Sequence, residues 1–145
     1  MPAKRPPAPG PGKAVRTVLI AERDRSAADY TSHFLREEGL RVVVALDVES
    51  AQQLIVANHF DLIIVESMLS GGVGTALVKA VKTLADVPVV MVSHPGVATP
   101  DEAVRSGADA FLYKPIEVGT LVDEVTRLLQ TTNGVARSEP PARPE

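Results

Sequence analysis

Five short apolar runs constrain this chain most: TVLIA at 17–21, VVVA at 42–45, LIIV at 62–65, VVMV at 89–92 and AFL at 110–112. They are continuous rather than alternating, and most are rich in β-branched residues. A strand with one wet face alternates apolar and polar residues, whereas an unbroken run suits a strand covered on both faces, as in a parallel sheet. Between the runs the apolar period changes to 3.6 residues. Ala27, Tyr30, Phe34 and Leu35 share a helical face, as do Ala51, Leu54 and Ile55, and then Leu77, Ala80, Val81 and Leu84. A last stripe holds Leu121, Val122, Val125, Leu128 and Leu129. The punctuation agrees: Ser26 is placed to cap the first helix and Gly39 to end it. TPDE at 99–102 fits a capping box, with Thr99 as cap, Pro100 opening the helix and Glu102 reaching back, and Gly107 is placed to close that short helix. The pattern predicts five β-α units with right-handed crossovers, a doubly wound α/β sheet with helices on both faces.

The chain is 145 residues long, one domain's worth. Aromatics make up only 3%, so the core must be built from Val, Leu, Ile and Ala. Both ends differ from the middle. Residues 1–16 are rich in Pro and Gly and carry Lys4, Arg5, Lys13 and Arg16 with no acid; residues 131–145 are again Pro-rich and polar. Neither stretch buries enough apolar surface to offset its chain entropy. The reading is a disordered basic arm, a folded domain over 17–130 and a disordered tail. The arm is read as a solubilising tail, with binding to an SH3-like groove or an acidic surface as the sharper alternative. There is no cysteine, which removes disulfides, thiolate metal sites and thiol nucleophiles. A net charge of -3 gives no sign of direct nucleic-acid binding. No run is long enough to span a membrane, and the N-terminus lacks the apolar core of a signal peptide, so a soluble, cytoplasmic chain is expected.

In a doubly wound sheet, ligands bind beyond the carboxyl ends of the strands. Those ends carry ERD (22–24), Glu66, SH (93–94) and YKP (113–115). Carboxylates beside a lysine and a hydroxyl are the equipment of phosphoryl transfer through a divalent cation: acids hold the metal, metal and lysine neutralise the phosphate, and the hydroxyl bonds one of its oxygens. From about Thr17 to Leu129 the chain resembles the receiver domain of bacterial two-component response regulators. VLIAERDRS resembles that family's first strand and acidic pair, DLIIVESMLSGGVG its phosphoacceptor strand and loop, PVVMVS the strand ending in a Ser or Thr, and GADAFLYKPI the switch aromatic and Lys-Pro pair. The resemblance implies a flavodoxin-like (βα)5 three-layer sandwich with parallel strand order 2-1-3-4-5. It also implies that Ser93 and Lys114 match the phosphate contacts, that Phe111 matches the switch aromatic, with an ordinary core phenylalanine as the alternative, and that the Lys114-Pro115 peptide is cis.

The chain departs from the family where the chemistry happens. Glu66 stands at the phosphoacceptor aspartate; one methylene longer, its carboxylate reaches toward the place of a phosphoryl group, like a weak, permanent mimic. Glu22 suits the first position of the acidic pair, but Arg23 stands at the second, where the family has its main metal ligand. A guanidinium repels a cation. The expectation is that Arg23 replaces the metal and pairs with Glu66 or Glu22, the alternative being that it turns into solvent. His94 follows Ser93 where the family has a small residue, and would narrow the phosphate path. Its ligation of a metal is the sharper alternative, but His33 and His59 fall on other elements. Ser70 replaces a loop proline and Val73 a common acid.

The expected function is therefore that of a stand-alone pseudo-receiver, a signalling module rather than an enzyme, without a cofactor or metal. Glu66, Arg23, Ser93 and Lys114 would form a built-in ion-pair network, and output would be a protein contact through the fourth helix, fifth strand and fifth helix. The partner would be a protein of a signalling pathway, possible classes being a histidine kinase or another regulator, with no nucleic acid and no membrane. The alternative is a phosphorylatable receiver that uses Glu66, or another acid such as Asp24, and needs Mg2+, held by Glu22 and Glu66. A more remote alternative is a flavodoxin-like cofactor binder or enzyme, which the sheet allows. The chain lacks a Gly-rich phosphate loop after the first strand and the DxHxxG pattern of cobalamin domains.

Overall fold

In the computed structural model of the protein, which describes residues 15–69 and 71–131, the first apolar run forms a central strand. This is β1 (Thr17–Ala21), followed by α1 (Arg25–Glu37), β2 (Arg41–Ala45), α2 (Val48–Ala57) and β3 (Leu62–Glu66). A short hairpin, β4 (Met68–Leu69) and β5 (Gly72–Val73), then leads into α3 (Gly74–Leu84), β6 (Val89–Ser93), α4 (Pro100–Ser106), β7 (Ala110–Tyr113) and α5 (Val118–Thr131). The main sheet has the order β2-β1-β3-β6-β7, and every pairing in it is parallel. With the hairpin set aside, this is the expected 2-1-3-4-5 order and flavodoxin-like fold. The flanking arm and tail, apart from residues 15–16 and 131, lie outside the described residues, as does Ser70.

Two-faced burial explains the unbroken apolar runs. Successive side chains of a strand point to opposite faces. Leu19, Ala21, Ile63, Val65, Val89 and Met91 point into one core layer, with Ala51 and Ile55 of α2, Leu77, Val78 and Val81 of α3, and Ala103 of α4. Val18, Ile20, Leu62, Ile64, Val90 and Val92 point into the other, with Ala28 and Leu35 of α1 and Leu121, Val125, Leu128 and Leu129 of α5. The helix faces show two corrections. In α1 the buried residues are Ala28, Thr31, Ser32 and Leu35, and Tyr30 is exposed. In α3, Val78 is buried and Leu84 is exposed. The apolar period located each helix but misjudged its rotation, because α1 turns two hydroxyls inward while its aromatics pack edge to face with one another, Tyr30 on Phe34.

The helix ends follow the expected chemistry with one exception. Thr99 accepts from the Glu102 amide at 3.1 Å while Glu102 accepts from the Thr99 amide at 3.0 Å, completing the capping box, and Gly107 closes α4 in the left-handed region at φ 110°. The cap of α1 is Asp24, not Ser26: its carboxylate accepts from the Ser26 amide at 2.9 Å and the Ala27 amide at 3.4 Å. Both residues are good caps. The earlier one wins because the strand hands over to the helix directly after Arg23. The Lys114-Pro115 peptide is cis. No helix among the described residues is long and apolar enough to cross a membrane.

Candidate functional site

The parallel sheet brings the carboxyl ends of β1, β3, β6 and β7 to one edge. Register places Glu66 beside Val92, and Ser93 beside Tyr113. The ladders continue one step beyond the strands: the Glu22 amide donates to Ala45 O at 3.0 Å, the Ser67 amide to Val92 O at 2.8 Å and the Lys114 amide to Ser93 O at 2.8 Å. Glu22, Ser67 and Lys114 are thus held by backbone bonds before their side chains do anything. Gly74 locks the loop from behind. Its amide donates to Ser67 O at 2.8 Å, and a Cβ there would press against the Glu66 carbonyl oxygen.

Lys114 is the hub. Its Nζ lies 2.7 Å from Glu22 Oε1 and 2.6 Å from Glu66 Oε1. Glu66 is only 3% exposed and Glu22 only 6%, so one ammonium is shared by two carboxylates that water hardly reaches, and the ionised set keeps one net negative charge. Glu22 also accepts from the Asp24 amide at 3.0 Å through its other oxygen. The contact to Glu66 Oε1 is short but poorly directed for a hydrogen bond, so that buried oxygen is held chiefly by charge. Burial raises the pKa of Glu22 above the usual carboxylate range; the bonds from Lys114 and the Asp24 amide oppose this, and the charge of Glu66 adds to it. For Lys114, burial acts against the charge, yet its bonds to Glu22 and Glu66 outweigh burial and raise its pKa above the usual lysine value.

A second, neutral network adjoins the first. Ser93 is fully buried. Its hydroxyl donates to His94 O at 2.9 Å and accepts from the Ser67 hydroxyl at 2.8 Å and the Ala98 amide at 3.2 Å. A hydroxyl has one donor and two lone pairs, so that of Ser93 is saturated. Ser67 also stands 3.4 Å from Glu66 Oε2, which joins the two networks. Sequence reasoning missed Ser67. Its signal was available in a small hydroxyl residue directly after the strand that ends in Glu66.

Glu22, Glu66 and Lys114 therefore meet at the strand ends, whereas the Ser93 hydroxyl reaches Glu66 only through Ser67 and stands outside the expected ion-pair network. Arg23 does not join them. It is exposed and has no ion pair among the described residues, so the expected pairing with Glu66 or Glu22 is not formed; Lys114 holds both acids instead. Backbone geometry explains the result. The strand ends at Ala21, and Arg23 stands in the bend that leads into α1, where its side chain faces solvent. His94 is exposed and lines a groove of about 390 Å³ with Asp24, Tyr30, Lys114 and Pro115. His33 lies on α1 against Glu37, and His59 lies near the start of β3 against Asp61, each on a different element from the site. Phe111 is partly buried against the core and meets Tyr113 edge to face at 4.9 Å. Val73 is exposed on the hairpin.

A family model described as "Response regulator receiver domain" matches residues 18–126. The chain belongs to the response regulator receiver family. Among curated relatives, it is 27% identical over 118 residues to the heme response regulator HssR of Staphylococcus saprophyticus, covering 81% of this chain and 53% of that one. It is 31% identical over 116 residues to the sensory transduction protein RegX3 of Mycolicibacterium smegmatis, covering 79% and 50%. The receiver chain thus spans about half the length of these relatives. Among solved structures, a two-component response regulator from Clostridium difficile superposes with a TM-score of 0.76 at 29% identity, covering 82% of this chain and 99% of that one.

Proposed function

We propose that this receiver domain signals by protein contact without being phosphorylated. The observation that carries the reading is the closure of Glu22 and Glu66 onto one Lys114 ammonium, at 2.7 Å and 2.6 Å. A divalent cation does not fit this donor set. Such a cation wants several oxygen ligands, and one of the family's three acid positions is an arginine while the other two acids already share the Lys114 ammonium. A phosphoryl group would find the Ser93 hydroxyl saturated and the Lys114 ammonium shared. Asp24, the other acid considered as an acceptor, is occupied in capping α1. In-line transfer tolerates little displacement, and the longer side chain of Glu66 displaces its carboxylate. The contact surface in this reading is that of α4, β7 and α5, where Val104 and Tyr113 are exposed. The partner is a protein of a signalling pathway, a histidine kinase or another regulator.

The test is amide NMR of the protein titrated with Mg2+, alone and with beryllofluoride, an acyl-phosphate analogue. Wild type is expected to show no shifts at Ser93, Phe111 and Lys114, whereas the double variant Arg23→Asp/Glu66→Asp regains them. A wild-type response at those residues would overturn the reading and establish a phosphorylatable receiver with an unusual acceptor.

A further inference from the structure

We infer that the groove between the β4–β5 hairpin, α3 and α4 is a docking site for an acidic, apolar segment of a partner protein. The loop after Glu66 closes into a hairpin in which Met68 pairs with Val73 across the strands. Cross-strand partners share a face, and here that face is outward: Met68 is 39% exposed and Val73 is 48% exposed. Val97, from the loop before α4, is 46% exposed and lines the same groove, whose volume is about 300 Å³. Scattered exposed apolar residues need no explanation, but three that converge on one concavity form a patch of the kind that marks interaction sites.

The charges around the patch identify the occupant. Lys79 of α3 and Arg105 of α4 line the groove, both exposed and neither engaged in an ion pair among the described residues. The acid that lines it, Glu102, has its carboxylate turned to the Thr99 amide in the capping box. On a chain whose net charge is -3, the charged lining of this groove is two cations against one carboxylate, net positive beside apolar side chains. A segment with Leu, Ile or Phe next to Asp or Glu matches both features, and charge complementarity of this kind sets specificity and association rate more than raw affinity. The floor of the groove includes Ser67, whose hydroxyl bonds Ser93. An occupant thus rests directly on the network beside Glu66. The site stands whether or not Glu66 takes a phosphoryl group, so its test is separate from the beryllofluoride experiment.

The experiment is selection of short randomised peptides on the full chain, followed by amide NMR titration of the full chain with the enriched peptide. Enriched peptides are expected to combine acidic with large apolar residues and to shift Met68, Val73, Lys79, Val97 and Arg105. The double variant Lys79→Glu/Arg105→Glu is expected to weaken their binding by about tenfold or more while keeping the wild-type circular dichroism and melting temperature. Enrichment of peptides without acids, shifts confined to the groove at Asp24 and Tyr30, or unchanged affinity in the folded charge-reversed variant would overturn the inference. So would failure of any peptide to enrich above an unrelated control protein. Self-association that Met68→Asp abolishes would assign the groove to a second copy of the chain and overturn it equally.

Discussion

Replacing Lys114 by methionine keeps the unbranched stem and removes the ammonium. Two buried carboxylates, Glu22 and Glu66, then face each other without a counter-ion. Each has an oxygen within 2.7 Å of the missing nitrogen, so the two remain close. Two like charges about 5 Å apart repel by roughly 3 kcal/mol at an effective dielectric of about 20. Loss of one partner from a buried pair generally costs about 3–5 kcal/mol, which agrees. Against a total stability of about 5–15 kcal/mol, this is a large fraction. The chain has a way to relieve it: one carboxylate takes up a proton. Lys114→Met is therefore expected to lose about 3 kcal/mol in urea unfolding near neutral pH, and clearly less in mild acid. Adding Glu22→Gln and Glu66→Gln should restore most of the loss, because a neutral set of similar shape leaves no buried charge. A loss below about 0.5 kcal/mol near neutrality, or one that does not change with pH, would refute the claim that Lys114 is the shared counter-ion of both acids.

Gly74→Ala is expected to destabilise by about 2–3 kcal/mol in the same assay, because the new methyl meets backbone, including Ser67 Cα at 2.9 Å, and backbone yields little. Arg23→Ala is expected to change stability by less than about 0.5 kcal/mol, since the side chain is exposed and has no ion pair among the described residues; a larger loss would mean it joins the site after all. Because the pKa of Glu22 is raised in the folded chain, its contribution is complete below the ordinary value of 4.5 and is lost as pH rises through the folded value. The difference in unfolding free energy between wild type and Glu22→Gln should therefore fall as pH rises from 4.5 to the folded value and level off above it, and a difference that is flat or rising across that window would contradict the burial-driven shift.

Much of the fold was legible because its signals are local and redundant. Each continuous β-branched run became a parallel strand, since a strand covered by helices on both faces has no wet side to mark with polar residues. The capping box at Thr99 and the left-handed Gly107 were legible because their geometry depends on neighbours in sequence. The hairpin after Glu66 was missed: its strands are only two residues each, too short for any period, although Gly71 at φ 91° supplies the turn residue such a connection needs. At the site, the strand ends named the residues that assemble, but not which cation pairs which acid. That choice rests on a side-chain direction. Arg23, next to Glu22, faces solvent, while Lys114 arrives from β7, three places from β1 in the sheet. Ser67 escaped notice because its role appears only when β6 brings Ser93 alongside.

The saturated Ser93 hydroxyl bears on how such a protein stores information. A two-state switch needs two packings close in free energy, so that a small stimulus tips the balance. Moving Ser93 away from its present place would break its bonds to His94, Ser67 and Ala98 together. At about 1 kcal/mol each, that is roughly 3 kcal/mol before any compensation, enough to hold the displaced arrangement below about one molecule in a hundred. The loop from His94 to Ala98 is thus held in one arrangement at rest, and a partner that favoured the displaced arrangement would have to supply at least that much differential binding energy. Under the proposed reading, in which no phosphoryl group arrives to offset that cost, the resting outline of this loop is the surface a partner meets.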